Sequence, residues 1–206
     1  MIGSDNSGTL STHGAQYTAW LIKRHTLWWR RFLDLQAPYR WNLNRLKPGL
    51  VLDIGCGIGR NLINLRGKGV GIDHNLQSVE FARRHRCIAF TPEEFQVSAF
   101  NTLGRFDSLL LSHVAEHMNK KEALELLKKY MYLLKREGRL IIITPQEAGY
   151  RSDRTHVEFM DFAKLRDIIK ELKFMLLKEY SFPLPRIFGH WFIYNEFVSV
   201  SCRPSF

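Results

Sequence analysis

The sequence predicts an α/β fold with a doubly wound, largely parallel sheet, and two observations carry this prediction. Short apolar stretches alternate along the chain with segments whose apolar residues recur at helical spacing, as in sheets flanked by helices. The first apolar stretch, Val51–Ile54, also leads directly into glycines at every second position, Gly55, Gly57 and Gly59. Glycine accepts positive φ and lets bare backbone approach a ligand. The residues after the glycines can begin a helix whose free N–H groups would face that ligand.

The other elements are justified in chain order by apolar runs, helical spacing and capping residues. The run 106–112 is apolar enough to be a strand buried on both faces, and Gly138 is expected to end the long helix before strand 140–143. Helices are predicted from the cap Asn75 through Arg84, over 123–134 and after the cap Asp161; further strands are predicted at 69–72, 87–90, 176–182 and 195–202.

Two carboxylates stand at the ends of the first two predicted strands, Asp53 and Asp73. A carboxylate before the glycine loop would repel a pyrophosphate but attract an ammonium or a sulfonium. The spacing is G-x-G-x-G, and Arg60 stands where a dinucleotide fingerprint has its third glycine. An acid at the end of the second strand can accept hydrogen bonds from both ribose hydroxyls. A nucleoside with a positively charged tail fits this pattern better than a dinucleotide does.

The D-x-G-x-G-x-G run with its strand-end Asp73 resembles the class I S-adenosylmethionine-dependent methyltransferases over about residues 49–202. The resemblance implies a Rossmann-like seven-stranded sheet of order 3-2-1-4-5-7-6 with strand 7 antiparallel. It also implies S-adenosyl-L-methionine as cofactor and S-adenosyl-L-homocysteine as product. A dinucleotide enzyme and an α/β domain that binds no nucleotide remain as alternatives.

The resemblance also implies roles for individual residues. Asp53 would lie near the methionine ammonium, Asp73 would hold the ribose, and Ser112 would leave the fourth strand at the pocket floor. Either Glu93 or Glu94 would lie near the adenine amine. The other implied cofactor contacts are the loop residues Gly55, Cys56, Gly57 and Gly59, with His74 and Asn75 beside the adenosine.

A general base is needed only where the attacking atom of the acceptor is protonated at neutral pH, and histidine has a suitable pKa. His113 leaves the fourth strand at the pocket, and His156 lies in the long loop after the fifth strand, so these two are the catalytic candidates. His117 and Glu158 are weaker candidates. Packing or loop stabilisation is the alternative for each of these side chains.

The charge distribution predicts two parts, residues 1–48 and residues 49–206. The net charge is +10, and residues 1–48 hold seven Lys/Arg against two acids, interleaved with aromatic residues. We predict a flexible start followed by a basic, aromatic helical cap on the methyltransferase domain. The cap would either attract an anionic acceptor or dock through its aromatic side chains; its basic residues include Lys23, Arg24, Arg30, Arg31 and Arg40, and its aromatic residues include Tyr17, Trp20, Trp28, Trp29, Phe32, Tyr39 and Trp41.

These features predict a cytoplasmic methyltransferase that acts on oxygen or nitrogen of a small, anionic metabolite or of a saccharide or lipid-linked intermediate. Arg151, Arg154, Arg186 and His190 are possible contacts for the anion. No apolar run approaches the ~20 residues of a membrane span, and three dispersed cysteines disfavour zinc, so no metal is expected. An RNA- or protein-directed enzyme and a noncatalytic S-adenosylmethionine-binding subunit remain as alternatives. The fourth strand lacks the Asn/Asp-Pro-Pro-aromatic signature of enzymes that methylate base amines, which disfavours such substrates.

Overall fold

A computed structural model describes residues 36–205. Seven strands alternate with seven α-helices in these residues, and short 3-10 turns follow β4, α5 and β6. The elements in order are α1 Ala37–Arg45, β1 Val51–Ile54, α2 Arg60–Asn64, β2 Gly69–Ile72, α3 Leu76–Arg84, β3 Ile88–Phe90, α4 Pro92–Gln96, β4 Phe106–Ser112, α5 Lys120–Tyr130, β5 Leu134–Pro145, α6 Glu147–Arg151, α7 Phe162–Glu171, β6 Met175–Phe182 and β7 Glu196–Cys202.

The strands form one sheet of order β3-β2-β1-β4-β5-β7-β6. Strands β1 to β5 are parallel, and β7 runs antiparallel to both β5 and β6. The predicted fold class, strand order and antiparallel seventh strand are therefore confirmed. Strands β1 and β4 are adjacent in the sheet but far apart in sequence, so the chain reverses direction across the sheet between them. Open α/β sheets bind ligands at this kind of switch point, beyond the carboxyl ends of the strands.

Hydrophobic side chains cover both faces of the sheet. One face carries the larger core, in which Leu109 and Leu111 of β4 pack with side chains from α5 and α7. On the opposite face, Leu110 packs with Leu43 of α1 and with residues of β5 and β7. Burial on both sides makes β4 a rigid support for the residues that follow Ser112.

The described part of the cap is α1, which packs against the last strands. The rings of Tyr39 and Trp41 pack on Phe182, with ring centroids 5.7 Å and 6.3 Å away. The Arg45 guanidinium lies over the rings of Trp41 and Tyr180. The described aromatic side chains of the cap thus pack on β6, and the choice between the two predicted roles of the cap stays open to experiment. The predicted basic and aromatic positions from Tyr17 to Phe32 lie outside the described residues, and the boundary at residue 48 stays a prediction.

The prediction that Gly138 ends the long helix was wrong. Helix α5 ends at Tyr130, a 3-10 turn follows, and β5 begins at Leu134, so Gly138 lies inside a strand. The pairing of β5 with β4 is irregular here, because it shifts register between Phe106 and Ser108, and Glu137 has a positive φ of 58°. From the sequence alone, a glycine at a strand irregularity cannot be distinguished from a glycine that ends a helix.

Helix α5 begins with a capping box that offers a measurable contribution to stability. The Asn119 side chain accepts a hydrogen bond from Glu122 N at 3.0 Å, and the Glu122 carboxylate accepts one from Asn119 N at 2.8 Å. Replacing such a cap by alanine costs about 1 kcal/mol. We therefore expect Asn119→Ala to lower the free energy of unfolding by about that amount in urea titration. Glu125→Ala, on an exposed turn of the same helix, should change it by only a few tenths of that; equal losses would contradict the capping role.

Candidate active site

A cavity of about 1160 Å³ crosses the carboxyl ends of the central strands. Single small-molecule sites usually measure roughly 300–1,000 Å³, so this cavity has room for a cofactor and an acceptor together. Its lining includes residues of the glycine loop and of the segment after β2: Gly55, Cys56, Gly57, Asp73, His74 and Asn75. It also includes residues of α1, of the end of β4 and the segment after it, of the loop after β5 and of the chain before and at the start of β7, a group called the acceptor end: Tyr39, Ser112, His113, Glu116, His117, His156, Phe192, Tyr194 and Glu196.

The glycine loop after β1 forms part of the cavity wall. Gly55 has a φ of +74°, and a Cβ added there would lie 2.4 Å from Cγ2 of Val114. Only glycine therefore lets the loop lie against the segment that leaves β4. A Cβ added at Gly57 would meet no atom within 4 Å, so the backbone at this position faces open space. Gly59 begins α2 with a left-handed φ of 83°.

The Asp73 carboxylate links the loop to the next helix. Its Oδ2 accepts a hydrogen bond from Gly57 N at 2.7 Å, and its Oδ1 accepts one from Asn75 N at 2.8 Å. The Asn75 side chain caps α3 by accepting hydrogen bonds from Gln77 N and Ser78 N. Asp73 and Asn75 line the cavity with His74, so the residues predicted for ribose and adenosine lie together at its edge.

Asp53 lies behind the glycine loop, where it is fully buried. Burial raises the pKa of this carboxyl to about 7; a side-chain contact with Asn61 partly opposes the shift, and the charge of Asp73 adds to it. Neither carboxylate oxygen makes a hydrogen bond of normal geometry among the described residues. A buried acid without such bonds gains stability from a positive charge placed nearby. Asp53 is not among the residues that line the cavity, so its predicted contact with the methionine ammonium stays a prediction.

Glu93 and Glu94, the two candidates for the adenine amine, are not among the residues that line the cavity. Of the turn after β3, the lining includes Pro92. Glu94 closes the capping box of α4 with Thr91 and forms an ion pair with Arg83. Those hydrogen bonds lower the pKa of Glu94, the one with Arg83 most strongly. Glu93 is exposed. The predicted role of either residue thus stays a prediction that the geometry does not favour.

His113 lies between two carboxylates. Its backbone has a positive φ of 57°, its Nε2 lies 2.8 Å from Oε1 of Glu196, and its Nδ1 lies 3.4 Å from Oε1 of Glu116. Burial by itself lowers the pKa of His113, but the two adjoining carboxylates outweigh it and raise the pKa to about 10. A histidine that stays protonated at neutral pH is poorly suited to be a general base.

His117 and His156 approach each other at the far end of the cavity, with ring centroids 4.8 Å apart. Nδ1 of His117 lies 3.2 Å from the Thr155 carbonyl oxygen, and Nδ1 of His156 lies 2.7 Å from that of Tyr150. Burial lowers the pKa of His117, so this ring is neutral at pH 7. The sequence analysis ranked His117 below His113 and His156 as a catalytic candidate. The signal that could have raised it is the adjacent pair Glu116 and His117, which follows β4 closely in the sequence.

The acceptor end is covered by α1 and by the connection between β6 and β7, residues 183–195. The Tyr39 hydroxyl donates a hydrogen bond to the Tyr194 carbonyl at 2.8 Å and so joins the two segments. Asn195 orders the connection: its Oδ1 accepts from Leu184 N, and its Nδ2 donates to Gln146. The sequence pointed to this connection but did not single out its lining residues.

Two of the three arginines predicted to meet an anion, Arg151 and Arg186, have protein partners. Arg186 forms a two-pronged ion pair with Glu147 on α6, with one arm at 2.9 Å. Arg151 donates to the His190 carbonyl at 3.0 Å. His190 itself lies 3.9 Å from the Glu147 carboxylate. These contacts leave less positive charge for an acceptor than the sequence suggested.

The family model described as a methyltransferase domain matches residues 23–182, so the chain belongs to this family. By fold it is a class I S-adenosylmethionine-dependent methyltransferase, the class to which the motif pointed. No curated protein is a significant sequence match.

Solved structures with the same fold include S-adenosylmethionine-dependent methyltransferases. Magnesium protoporphyrin IX methyltransferase from Synechocystis PCC 6803 with bound S-adenosylhomocysteine superposes with a TM-score of 0.63 at 15% identity, over 93% of this chain and 96% of that chain. An S-adenosylmethionine-dependent methyltransferase from Archaeoglobus fulgidus superposes with a TM-score of 0.58 at 18% sequence identity, over 84% of this chain and 99% of that chain. Another from Methanosarcina mazei superposes with a TM-score of 0.56 at 19% sequence identity, over 75% of this chain and 92% of that chain. At these identities the likeness shows the fold.

The residues present fit the cofactor of this class. The backbone is open at Gly57, and a carboxylate lies at the end of β2 for hydroxyl groups. A second, buried carboxylate lies behind the loop without a hydrogen bond of normal geometry. Among the described residues, no helix is long and apolar enough to cross a membrane.

Proposed function

We propose that this chain transfers the methyl group of S-adenosylmethionine to an oxygen or nitrogen of a small, anionic acceptor. The observation that carries the proposal is one cavity whose lining includes the glycine loop, α1, the β6–β7 connection, His117 and His156. The cofactor supplies an activated methyl group, so the protein must align the acceptor and exclude water.

The enclosure of the acceptor end favours a small molecule over a polymer. Its walls come from three separate segments: α1, the residues after β4 and the β6–β7 connection. Tyr39 joins the first and the last of these through its hydrogen bond to Tyr194. A nucleic acid or a protein surface would have to insert a single group past this cover. Phe192, Ile193 and Tyr194 would pack on the body of the acceptor.

We assign different roles to the three histidines at the acceptor end. The Nδ1 contacts of His117 and His156 leave each Nε2 available to the cavity. These atoms can hold the acceptor oxygen or take its proton, so His156 keeps its proposed place at the reacting atom. His113, held by Glu116 and Glu196, is assigned to orient the acceptor and not to remove its proton.

The anionic character of the acceptor is supported by the net charge of +10 and not by the arginines near the pocket. A strongly basic protein attracts anions and speeds their encounter.

The test is an acceptor screen with S-adenosylmethionine and mass-spectrometric detection of the methylated product, beginning with phosphorylated sugars and carboxylated phenols. We expect turnover on at least one of these, and removing the anionic group from the best acceptor should lower kcat/KM. Phe192→Ala should raise the KM for that acceptor by about 5- to 30-fold, equivalent to 1–2 kcal/mol of lost contact. The affinity for S-adenosylhomocysteine should stay unchanged.

The matched control is Phe188→Ala, in the same connection but outside the cavity lining; it should leave KM unchanged. Steep loss of activity with salt on an RNA acceptor would support the nucleic-acid alternative. Binding of S-adenosylmethionine without turnover on any acceptor would favour the noncatalytic subunit. An unchanged kcat/KM after removal of the anionic group would contradict the anionic acceptor.

A further inference from the structure

Three groups able to bind a metal ion meet at the acceptor end of the cavity. The carboxylate of Glu116 and the imidazoles of His117 and His156 each offer one ligand atom, and these atoms all lie within 4.8 Å of one another. All three side chains line the cavity. The backbone holds the two segments together, because Val157 N donates to the Glu116 carbonyl at 2.7 Å. Two histidines and one carboxylate form a set that binds divalent transition ions in other proteins.

The two imidazoles are oriented as metal-bound imidazoles are. A carbonyl oxygen only accepts, so the contacts of Thr155 O with His117 and of Tyr150 O with His156 require the proton on Nδ1 of each ring. The Nε2 lone pairs are then available for a ligand bond. Thr155 strengthens this arrangement, since its hydroxyl donates to Asp153 at 2.7 Å and can accept from His117 Nδ1 at 3.1 Å. Outer hydrogen bonds of this kind fix the tautomer of metal-binding histidines.

The Glu116 carboxylate is buried, and the charged neighbour shown for it, His113, is shared with Glu196. The residue is 1% exposed, and neither oxygen makes a hydrogen bond of normal geometry among the described residues. The nearby His113 lies at 3.4 Å from one oxygen but makes its shorter contact with Glu196. Buried charges in proteins are paired or coordinate metals. A divalent ion bound beside Glu116 would supply such a partner for its two oxygens.

We propose that Glu116, His117 and His156 bind one divalent transition-metal ion of the zinc, cobalt or manganese type at the acceptor end of the cavity. Metal–ligand distances of about 2.1 Å require the three side chains to close slightly from their present separation. None of the three cysteines is among the proposed ligands. The sequence-based expectation of no metal rested on cysteine spacing alone.

The site gives the ion a role in the proposed function, on which this part of the inference rests. Three protein ligands leave coordination positions open to the acceptor. With the ion bound, both Nε2 atoms would be ligands, so an acceptor hydroxyl bound there, alone or beside a second oxygen, would lose its proton to solvent and not to His156. Its oxygen then forms the new bond to the methyl carbon as the carbon–sulfur bond breaks. The products are a methyl ether, S-adenosylhomocysteine and one proton.

Metal binding is tested on the full chain, without any acceptor. The protein is treated with a chelator, dialysed and titrated calorimetrically with Zn²⁺, and Co²⁺ is added to a parallel sample for its visible absorption. We expect one ion per chain and a Co²⁺ spectrum of nitrogen and oxygen ligation. Glu116→Gln and His156→Ala should each weaken Zn²⁺ binding by about 10- to 100-fold or more. Removing a residue that only hydrogen-bonds to a metal ligand already costs that much. Mg²⁺ is expected to compete poorly.

The matched control is His85→Ala, which removes an exposed histidine outside the cavity and should leave Zn²⁺ affinity unchanged. Titration with S-adenosylhomocysteine reports whether each variant is folded, and it should be unaffected by His156→Ala. Failure to bind one Zn²⁺ per chain, or wild-type affinity in folded His156→Ala, would overturn the metal site. Normal S-adenosylhomocysteine binding in that sample would leave the proposed methyl transfer standing. Conversely, metal binding without any methylated acceptor would count against the proposed function alone.

Discussion

Asparagine in place of Asp53 is expected to make the cofactor-free protein more stable at pH 8 and, at the same time, to weaken its binding of S-adenosylhomocysteine. Burial raises the pKa of this carboxyl from 3.8 to about 7. Between those values the unfolded chain releases the proton while the folded chain retains it. The contribution of Asp53 to stability is therefore greatest below pH 4 and declines as pH rises towards 7. The full difference amounts to about 4 kcal/mol, taking 1.36 kcal/mol per pKa unit.

The measurement is the free energy of unfolding of wild type and Asp53→Asn in urea at several pH values between 4 and 8. Relative to wild type, the free energy of unfolding of Asp53→Asn should increase as pH rises, and the difference should change by about 2–4 kcal/mol between pH 4 and pH 8. The cofactor affinity should move the other way, because the neutral amide no longer attracts the ammonium. This opposition would identify Asp53 as a residue retained for binding at the expense of stability.

Asp107→Asn is the matched control, because the pKa of Asp107 shifts in the opposite direction. Burial raises that pKa, but the hydrogen bonds from Lys135 and Leu50 N outweigh it and lower it overall. The variant should therefore lose stability at neutral pH, and its difference from wild type should shrink as pH falls through the acid range. A constant difference between Asp53→Asn and wild type from pH 4 to 8 would contradict the buried-acid account.

Alanine in place of Asp73 should weaken binding of S-adenosylhomocysteine by about 10- to 150-fold. A hydrogen bond to a charged group contributes roughly 1.5–3 kcal/mol, and this range converts to that loss of affinity. Asp73 also accepts from Gly57 N and Asn75 N. The change thus loosens the loop as well as removing the ribose partner. The fold should survive, because the residue lies at the cavity edge and not among the apolar side chains of the core.

Calorimetric titration of wild type and variant checks the affinity, and circular dichroism with thermal melting checks the fold. Glu80→Ala removes an exposed acid from the neighbouring helix α3 and should change neither. Adenine, which lacks the ribose, should bind wild type and variant with more similar affinities. An unchanged affinity in folded Asp73→Ala would remove this residue from the ribose role.

The sequence by itself predicted whatever depends on short-range pattern. The strand 106–112, the caps Asn75 and Asp161, and the glycine loop with its two acids follow from residues within one turn or one strand of each other. The resemblance then supplied the strand order, which the sheet confirms. The exception was Gly138, because glycine at a strand irregularity and glycine after a helix leave the same local signal.

Tertiary structure decided which side chains face the same point. His113 depends on Glu196, 83 positions away, and that contact changes it from a candidate base into a retained imidazolium. His117 and His156 come together only because the loop after β5 returns to the residues after β4. Arg186 appeared available to an anion until the fold paired it with Glu147. Protonation state, metal-binding potential and free charge arise from groups distant in sequence, so they emerge only when packing brings those groups into contact.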